Sequence, residues 1–405
     1  MRYLFCCMDR VGDIHAALAI ARALRERGHT VAFVTGPSLA PLLRREGFER
    51  LARGEPDGPS FDTSTCALPM EMVRQVRHIE SALKHFPADV LVGQQLAFGV
   101  PLAAERQRLP LGVLGQMAWI FPRAEPPPPG QRDALTAHAV ELYEGLLPHY
   151  ATARQACGLP PEHRAPQDSS LLGDMVLLRT VPELEADVDS LPSRVHLVGD
   201  CLGLPREEPD AALRDWLDEA AANGLPVLFA RLGGATLPPA TWPAFVEALR
   251  DEPVRVLALA PPSAASSAPA HFLVRPHLPE AFVLERAWAV LSPPTSTAAL
   301  GALTHGCPAL LLLVEGQHLA LEYPAVADAC VRSGAALRLA LPSSGPEPLR
   351  LREAVRALLE DPAPRAHAQR LQRALAAFDG PARAADLLER LGTQPGPFQR
   401  HGSSL

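Results

Sequence analysis

The sequence predicts an α/β protein built from two doubly wound halves, each a parallel sheet covered by helices on both faces. Short apolar runs alternate with amphipathic stretches along most of the chain. The alternation starts afresh after a break rich in proline and charge, Pro205-Arg206-Glu207-Glu208-Pro209. The 405 residues suit two such domains at about 100–200 residues each. Two halves of this kind facing one another would leave a cleft at the carboxyl ends of both sheets, where open α/β sheets bind ligands.

In the first half Tyr3–Cys7 reads as a strand. A stripe at Ile14, Ala17, Leu18, Ala21 and Leu24 reads as a helix, because its spacing of three and four keeps the apolar groups on one face. Gly28 ends that helix and Val31–Val34 opens the next strand. Ser38 is positioned to cap a helix running to about Glu46. Strand Val90–Val92, helix Phe98–Arg106 and strand Leu111–Gly115 follow. A stiff loop at Pro126–Gly130, four prolines and a glycine, leads into a long helix from Gln131 towards Cys157.

The second series runs through helix Asp210–Ala222, strand Val227–Leu232, helix Thr241–Arg250, strands Val254–Leu259 and Phe272–Val274, and helix Glu280–Arg286. Strand Ala289–Leu291, helix Thr297–Thr304, strand Ala309–Val314 and helix Leu319–Arg332 complete the core. Helices from Leu349 to Leu391 close the chain before a frayed tail at Thr393–Leu405. The expected divisions are residues 1–204, residues 205–380, and a C-terminal helix and tail over 381–405.

Composition narrows the function. Apolar residues at 47% and charged ones at 20% describe a folded chain. A net charge of −7, from 38 basic and 45 acidic residues, argues against nucleic acid as a partner. Lys84 is the single lysine, so the positive charge is almost all arginine. No apolar run is long enough for a membrane span; Pro308–Val314 is the nearest and is too short. The opening Met1–Arg10 reads as a first strand rather than a secretory leader. Seven cysteines without a C-x-x-C pair predict buried thiols in a reducing cytoplasm, with no disulfide framework and no structural metal.

Two stretches carry chemistry. The first strand leads through Met8-Asp9-Arg10-Val11-Gly12-Asp13-Ile14-His15 into the first helix, with Gly12 expected to let the backbone turn. Asp13 either caps that helix, worth about 0.5–2 kcal/mol, or presents a carboxylate that takes a proton. His15 is a first-turn polar group or a base. In the second stretch, Ala289–Leu291 runs into Ser292-Pro293-Pro294-Thr295-Ser296-Thr297 and a helix. A helix start crowded with hydroxyls behind a strand is either an anion site or ordinary capping.

The order G-D-I-H-x-A-L-A-I-A-R-A-L-R-E-R-G-H-T-V from Gly12 to Val31 resembles the N-terminal signature of nucleotide-sugar-dependent glycosyltransferases of the GT-B kind, in their bacterial natural-product and sterol branch. Ala88–Val92 resembles the family's P-D-V-V-V strand. Leu191-Pro192 through Val198-Gly199 resembles its approach to the linker, and Val227–Gly233 its first C-domain strand and glycine turn. Pro279–Pro308 resembles the stretch of the donor motif, and Glu315–His318 the acid-Gln pair that touches the sugar. The resemblance covers roughly residues 1–390 and implies two Rossmann-like domains facing across a cleft.

It also implies roles. The family's donor signature is H-G-G-x-G-T followed by E-A-L-x-x-G-x-P. Counted back from Gly306-Cys307-Pro308, its positions hold Pro293, Pro294, Thr295, Ser296, Thr297 and Ala298, then Gly301-Ala302-Leu303. The signature's histidine, glycines and ribose-binding glutamate are therefore replaced. Arg231 beside Gly233 and Gly234 could clamp a diphosphate instead, or pair with a neighbouring carboxylate. Thr295, Ser296 and Thr297 could supply hydroxyl donors, Glu315, Gln317 and His318 would meet the donor, and His277 and Leu278 the nucleoside.

Many relatives place a His after the first glycine and pair it with a downstream Asp. Here those positions hold Asp13 and, approximately, Gln94. The implied reaction is inverting transfer of a sugar from a UDP- or dTDP-linked donor to a hydroxyl of a small hydrophobic acceptor. Asp13 would serve as base, and no metal or further cofactor would be needed. His15, Gln94, Gln116, Met117, Trp119 and Phe121 are the acceptor-side candidates, with Met70 and Met72 also able to line an apolar pocket. Two alternatives stay open: a non-catalytic auxiliary protein on the same scaffold, and an enzyme that reuses the cleft for a non-glycosyl reaction. The oligomeric state is open, a dimer included.

Overall fold

A computed structural model of the chain describes residues 1–52, 60–123, 130, 132–162, 165–204, 207–232, 237–315 and 321–393, the side chains of Val11 and Asp13 excepted. Contacts divide it into two compact units, Met1–Gly203 together with the chain from Phe378 onward, and Leu204–Ala377.

The first unit runs β1 (Arg2–Cys6), α1 (Val11–Glu26), β2 (Thr30–Val34), α2 (Ala40–Arg45), β3 (Glu49–Arg50), α3 (Pro69–His85), β4 (Val90–Gln94), α4 (Gly99–Gln107), β5 (Leu111–Leu114), α5 (Ala134–Ala156), β6 (Met175–Leu178) and β7 (Val195–Leu197). Its seven strands lie in the order β3-β2-β1-β4-β5-β6-β7, every pair parallel. The predicted stripe of α1 is fully buried and packs on Phe5 and Phe33 of the sheet. Burial of each of Ile14, Leu18 and Leu24 contributes about 1.5–3 kcal/mol. Gly28 ends α1 at φ 84°, a conformation that favours glycine.

Two local expectations change. Gly12 makes no turn: α1 already starts at Val11, and a Cβ at Gly12 would meet nothing within 4 Å. Ser38 caps no helix. It lies in a single 3-10 turn, Pro37–Leu39, and its hydroxyl donates to Asp9 Oδ1 at 2.5 Å.

The second unit runs α6 (Ala211–Ala222), β8 (Val227–Arg231), α7 (Thr241–Leu249), β9 (Arg255–Leu259), β10 (Phe272–Arg275), α8 (Glu280–Leu284), β11 (Ala289–Ser292), α9 (Ser296–Thr304), β12 (Ala309–Val314), α10 (Tyr323–Arg332), β13 (Ala336–Leu341), α11 (Pro348–Glu360) and α12 (Ala363–Ala376). Asp210 caps α6, its carboxylate accepting from the Leu213 N–H at 2.7 Å. The six strands order as β10-β9-β8-β11-β12-β13, all parallel. The helix expected from Leu319 begins at Tyr323, with Glu322 as its N-cap; Leu319 itself lies outside the described residues.

The last helix, α13 (Gly380–Thr393), returns to the first unit. It buries Ala384, Ala385, Leu388 and Leu391 in the same core as α1. Arg27 also ion-pairs with Asp386 at 2.6 Å and Glu389 at 3.0 Å.

In both units the strand order reverses beside the first strand, between β1 and β4 and between β8 and β11. That switch point, at the carboxyl ends of the strands, is where doubly wound sheets hold ligands.

Candidate active site

At the first switch point the backbone leaves β1 through a set of fixed hydrogen bonds. The Cys7 N–H donates to Val34 O at 3.0 Å, the Met8 N–H to Gln94 Oε1 at 2.7 Å and the Asp9 N–H to Phe61 O at 2.7 Å. Phe61 sits at φ 63°, uncommon for a bulky residue, and its N–H donates to Glu71 Oε1 at 2.5 Å. The Asp9 carboxylate is held by Ser38, accepting from its hydroxyl at 2.5 Å. Asp13 occupies the third position of α1, and its side chain lies outside the described residues. His15 is half-buried on the same helix.

At the end of β5, the Gln116 N–H donates to Gln95 Oε1 at 3.0 Å. Gln116 Oε1 accepts from Arg179 Nη2 at 3.0 Å, and Arg179 Nε donates to Gly115 O at 2.8 Å. Gln94, Leu96, Leu114, Gln116 and Arg179 line a small solvent-open hollow over these strand ends. Gln94 and Gln116 therefore line the same hollow. Arg179 was missed by the sequence reading, although an arginine directly after the apolar run Met175–Leu178 marks a strand's carboxyl end.

Of the other acceptor candidates, Met117 is fully buried, and Trp119 stacks edge-on against Phe121, which does the same against Tyr143. Met72 is likewise buried, whereas Met70 is exposed.

At the second switch point Arg231 ends β8 in an ion pair, with Nη1 at 2.8 Å from Glu280 Oε2. Of its two expected partners, the neighbouring carboxylate is the one it holds. Gly233, Gly234, Gln317 and His318 lie outside the described residues. Thr295 caps α9, its hydroxyl accepting from the Ala298 N–H at 3.2 Å. Ser296 and Thr297 are buried, and Ser296 Oγ donates to the buried Glu322 carboxyl at 2.5 Å. Glu322 too was missed by the sequence reading. Ser292 Oγ is buried with no partner among the described residues.

His277 is exposed and bonded to Glu207 at 2.5 Å. Leu278 is buried. Glu315 is exposed, its N–H bonded to Leu341 O at 2.9 Å.

All seven cysteines are buried free thiols; burial pushes Cys66 and Cys307 up to about 11. Among the described residues no group of three or more His, Cys, Asp or Glu could hold a metal ion, and no helix is long and apolar enough to cross a membrane.

No family model matches the chain. It is 25% identical to 4'-demethylrebeccamycin synthase of Lentzea aerocolonigenes over 429 aligned positions, covering 94% of this chain and 97% of the relative. Among solved structures it is similar to the glycotransferase of kitacinnamycin, with TM-score 0.71 and 21% identity over 96% of this chain and 98% of the other. It is similar to CalG4, the calicheamicin glycosyltransferase, with TM-score 0.67 and 23% identity over 98% and 99%. The glycosyltransferase VinC, solved in complex with dTDP, gives TM-score 0.68 and 19% identity over 97% and 99%. The structural likenesses carry the fold over nearly the whole chain. The chain thus shares the two-domain fold of these glycosyltransferases and is similar in sequence, over nearly its whole length, to a curated synthase.

Proposed function

We propose that the protein transfers a sugar from a UDP- or dTDP-linked donor to a hydroxyl of a small hydrophobic, natural-product-like acceptor, with inversion and without a metal. The observation that carries this reading is the start of α9. A strand end at a topological switch point feeds a helix whose first turn is crowded with hydroxyls at Thr295, Ser296 and Thr297. The positive end of the helix dipole favours a diphosphate at such a turn. The first unit supplies the acceptor side, with Gln94 and Gln116 at its strand ends.

In this mechanism the acceptor oxygen displaces the diphosphate directly at the anomeric carbon. Asp13, in the first turn of α1, takes the acceptor proton late, because an ordinary aspartate is a weak base. The leaving diphosphate settles against α9. Arg231 reaches it by exchanging Glu280 for the incoming anion.

Titrating UDP and dTDP while following the melting temperature tests the reading. A ligand held at a hundred times its Kd stabilises the folded state by about 2.7 kcal/mol. No shift with any nucleoside diphosphate at millimolar concentration would remove the donor site. A second reading, a non-catalytic auxiliary on the same scaffold, is favoured by one observation: the hydroxyl of Ser296 is already bonded to an internal carboxyl, that of Glu322.

A further inference from the structure

Two arginines of the described chain are buried, and they differ in one respect. Arg154 is held by both carboxylate oxygens of Glu105, at 2.7 and 3.0 Å, with Glu162 at 3.7 Å. Arg179 is 4% exposed and forms no ion pair with any described carboxylate. Its partners are neutral: the Gly115 carbonyl on Nε and the Gln116 amide oxygen on Nη2. A guanidinium stays charged at any physiological pH, and burying it without a counter-charge is costly. It also lines the hollow over the ends of β4 and β5.

We propose that this hollow receives the carboxylate of an acidic acceptor, with Arg179 as the residue that selects it. The inference deepens the acceptor side of the glycosyltransferase reading and rests on it for the word acceptor. Nε and one Nη2 proton are engaged, which leaves the outer edge of the fork, Nη1 with the second Nη2 proton. Two parallel N–H donors on that edge match the two oxygens of a carboxylate. Beside Gln94 and Gln116 the lining holds the apolar side chains of Met8, Leu96 and Leu114, which suit a hydrophobic body behind the charged group. A single positive charge without a second cation matches one carboxylate better than a phosphate dianion.

Naphthoate and its neutral isostere naphthamide test the proposal by calorimetric titration against the full chain. Naphthoate should bind about ten-fold or more tighter, the difference expected for a hydrogen-bonded charge pair. Arg179→Gln should abolish the preference, and Arg179→Lys, which keeps the charge but loses the fork, should reduce it several-fold. Equal affinity for the two probes, or a preference that survives Arg179→Gln, overturns the proposal. If Arg179→Gln does not fold, the lysine variant and the two-probe comparison on the parent chain decide. Transfer of sugar to neutral phenols with no gain from a carboxylate would sink this inference and leave the glycosyltransferase reading standing. Carboxylate selectivity in a chain that binds no nucleoside diphosphate would do the reverse.

Discussion

The two units share a strand order and a strand-turn-helix at the switch point, yet treat charge there in opposite ways. In the second unit the charged groups are already engaged from within. Arg231 holds Glu280, and the Glu322 carboxyl takes the hydroxyl of Ser296 at the start of α9. In the first unit Arg179 has only neutral partners among the described residues, and it borders a hollow. A common scaffold therefore does not imply a common readiness to bind. The second site must break internal contacts to receive an anion, whereas the first has a cation waiting for one.

The contrast can be tested from its largest consequence downward. Asp13→Asn should lower turnover by about 10²–10⁴-fold, the usual worth of a general base, while nucleotide affinity stays unchanged. Equal loss of both would remove Asp13 from the chemistry and leave it a helix-start residue. Arg231→Ala should weaken nucleoside diphosphate binding by about 1.5–3 kcal/mol if the guanidinium swaps partners. Unchanged affinity in calorimetry would fix the Glu280 pair as purely structural. Glu322→Gln should instead strengthen that binding by about ten-fold, or about 1.4 kcal/mol, because the incoming phosphates no longer meet a carboxylate. Weaker binding in this variant would show that Glu322 holds the donor rather than obstructs it.

The smallest effect concerns the polar packing beside the first hollow. Burial pushes the Glu71 carboxyl above its ordinary range, while hydrogen bonds from Gln75 and the Phe61 backbone pull the other way. The folded state therefore holds this proton more tightly than the unfolded chain. That contribution to stability is full below the ordinary glutamate value and is lost as pH rises through the folded one. Melting temperatures from about pH 4 to 7 should fall for the parent relative to Glu71→Gln. Parallel curves would show that the carboxyl titrates no differently in the two states.

The fold was largely legible because its helices and strands carry clean periodicities. The stripe from Ile14 to Leu24 and the run Ala309–Val314 appear where their patterns placed them. α3 escaped because buried Glu71, Gln75 and His78 interrupt its apolar face. β6 and β7, four and three residues long, were not read as strands. Within the site, Gln94 and Gln116 were readable as strand ends. Met117, Trp119 and Phe121 were not, since side chains of identical type serve a pocket or a core, and tertiary packing decides between them. Arg179 and Glu322 were missed for a related reason: what matters at each is which group lies across from it in space. No spacing along the chain records that.

One architectural detail bears on engineering. Because α13 folds back, the polypeptide crosses between units twice, after Gly203 and after Ala377. A chimera exchanging the second unit needs two junctions. A single cut near residue 204 would hand α13 to the wrong parent. The recipient would then lack Leu388, whose methyl group lies where a Cβ on Gly112 would stand. Failed half-swaps in such a chain would thus report a missing brace at the far terminus rather than incompatible chemistry.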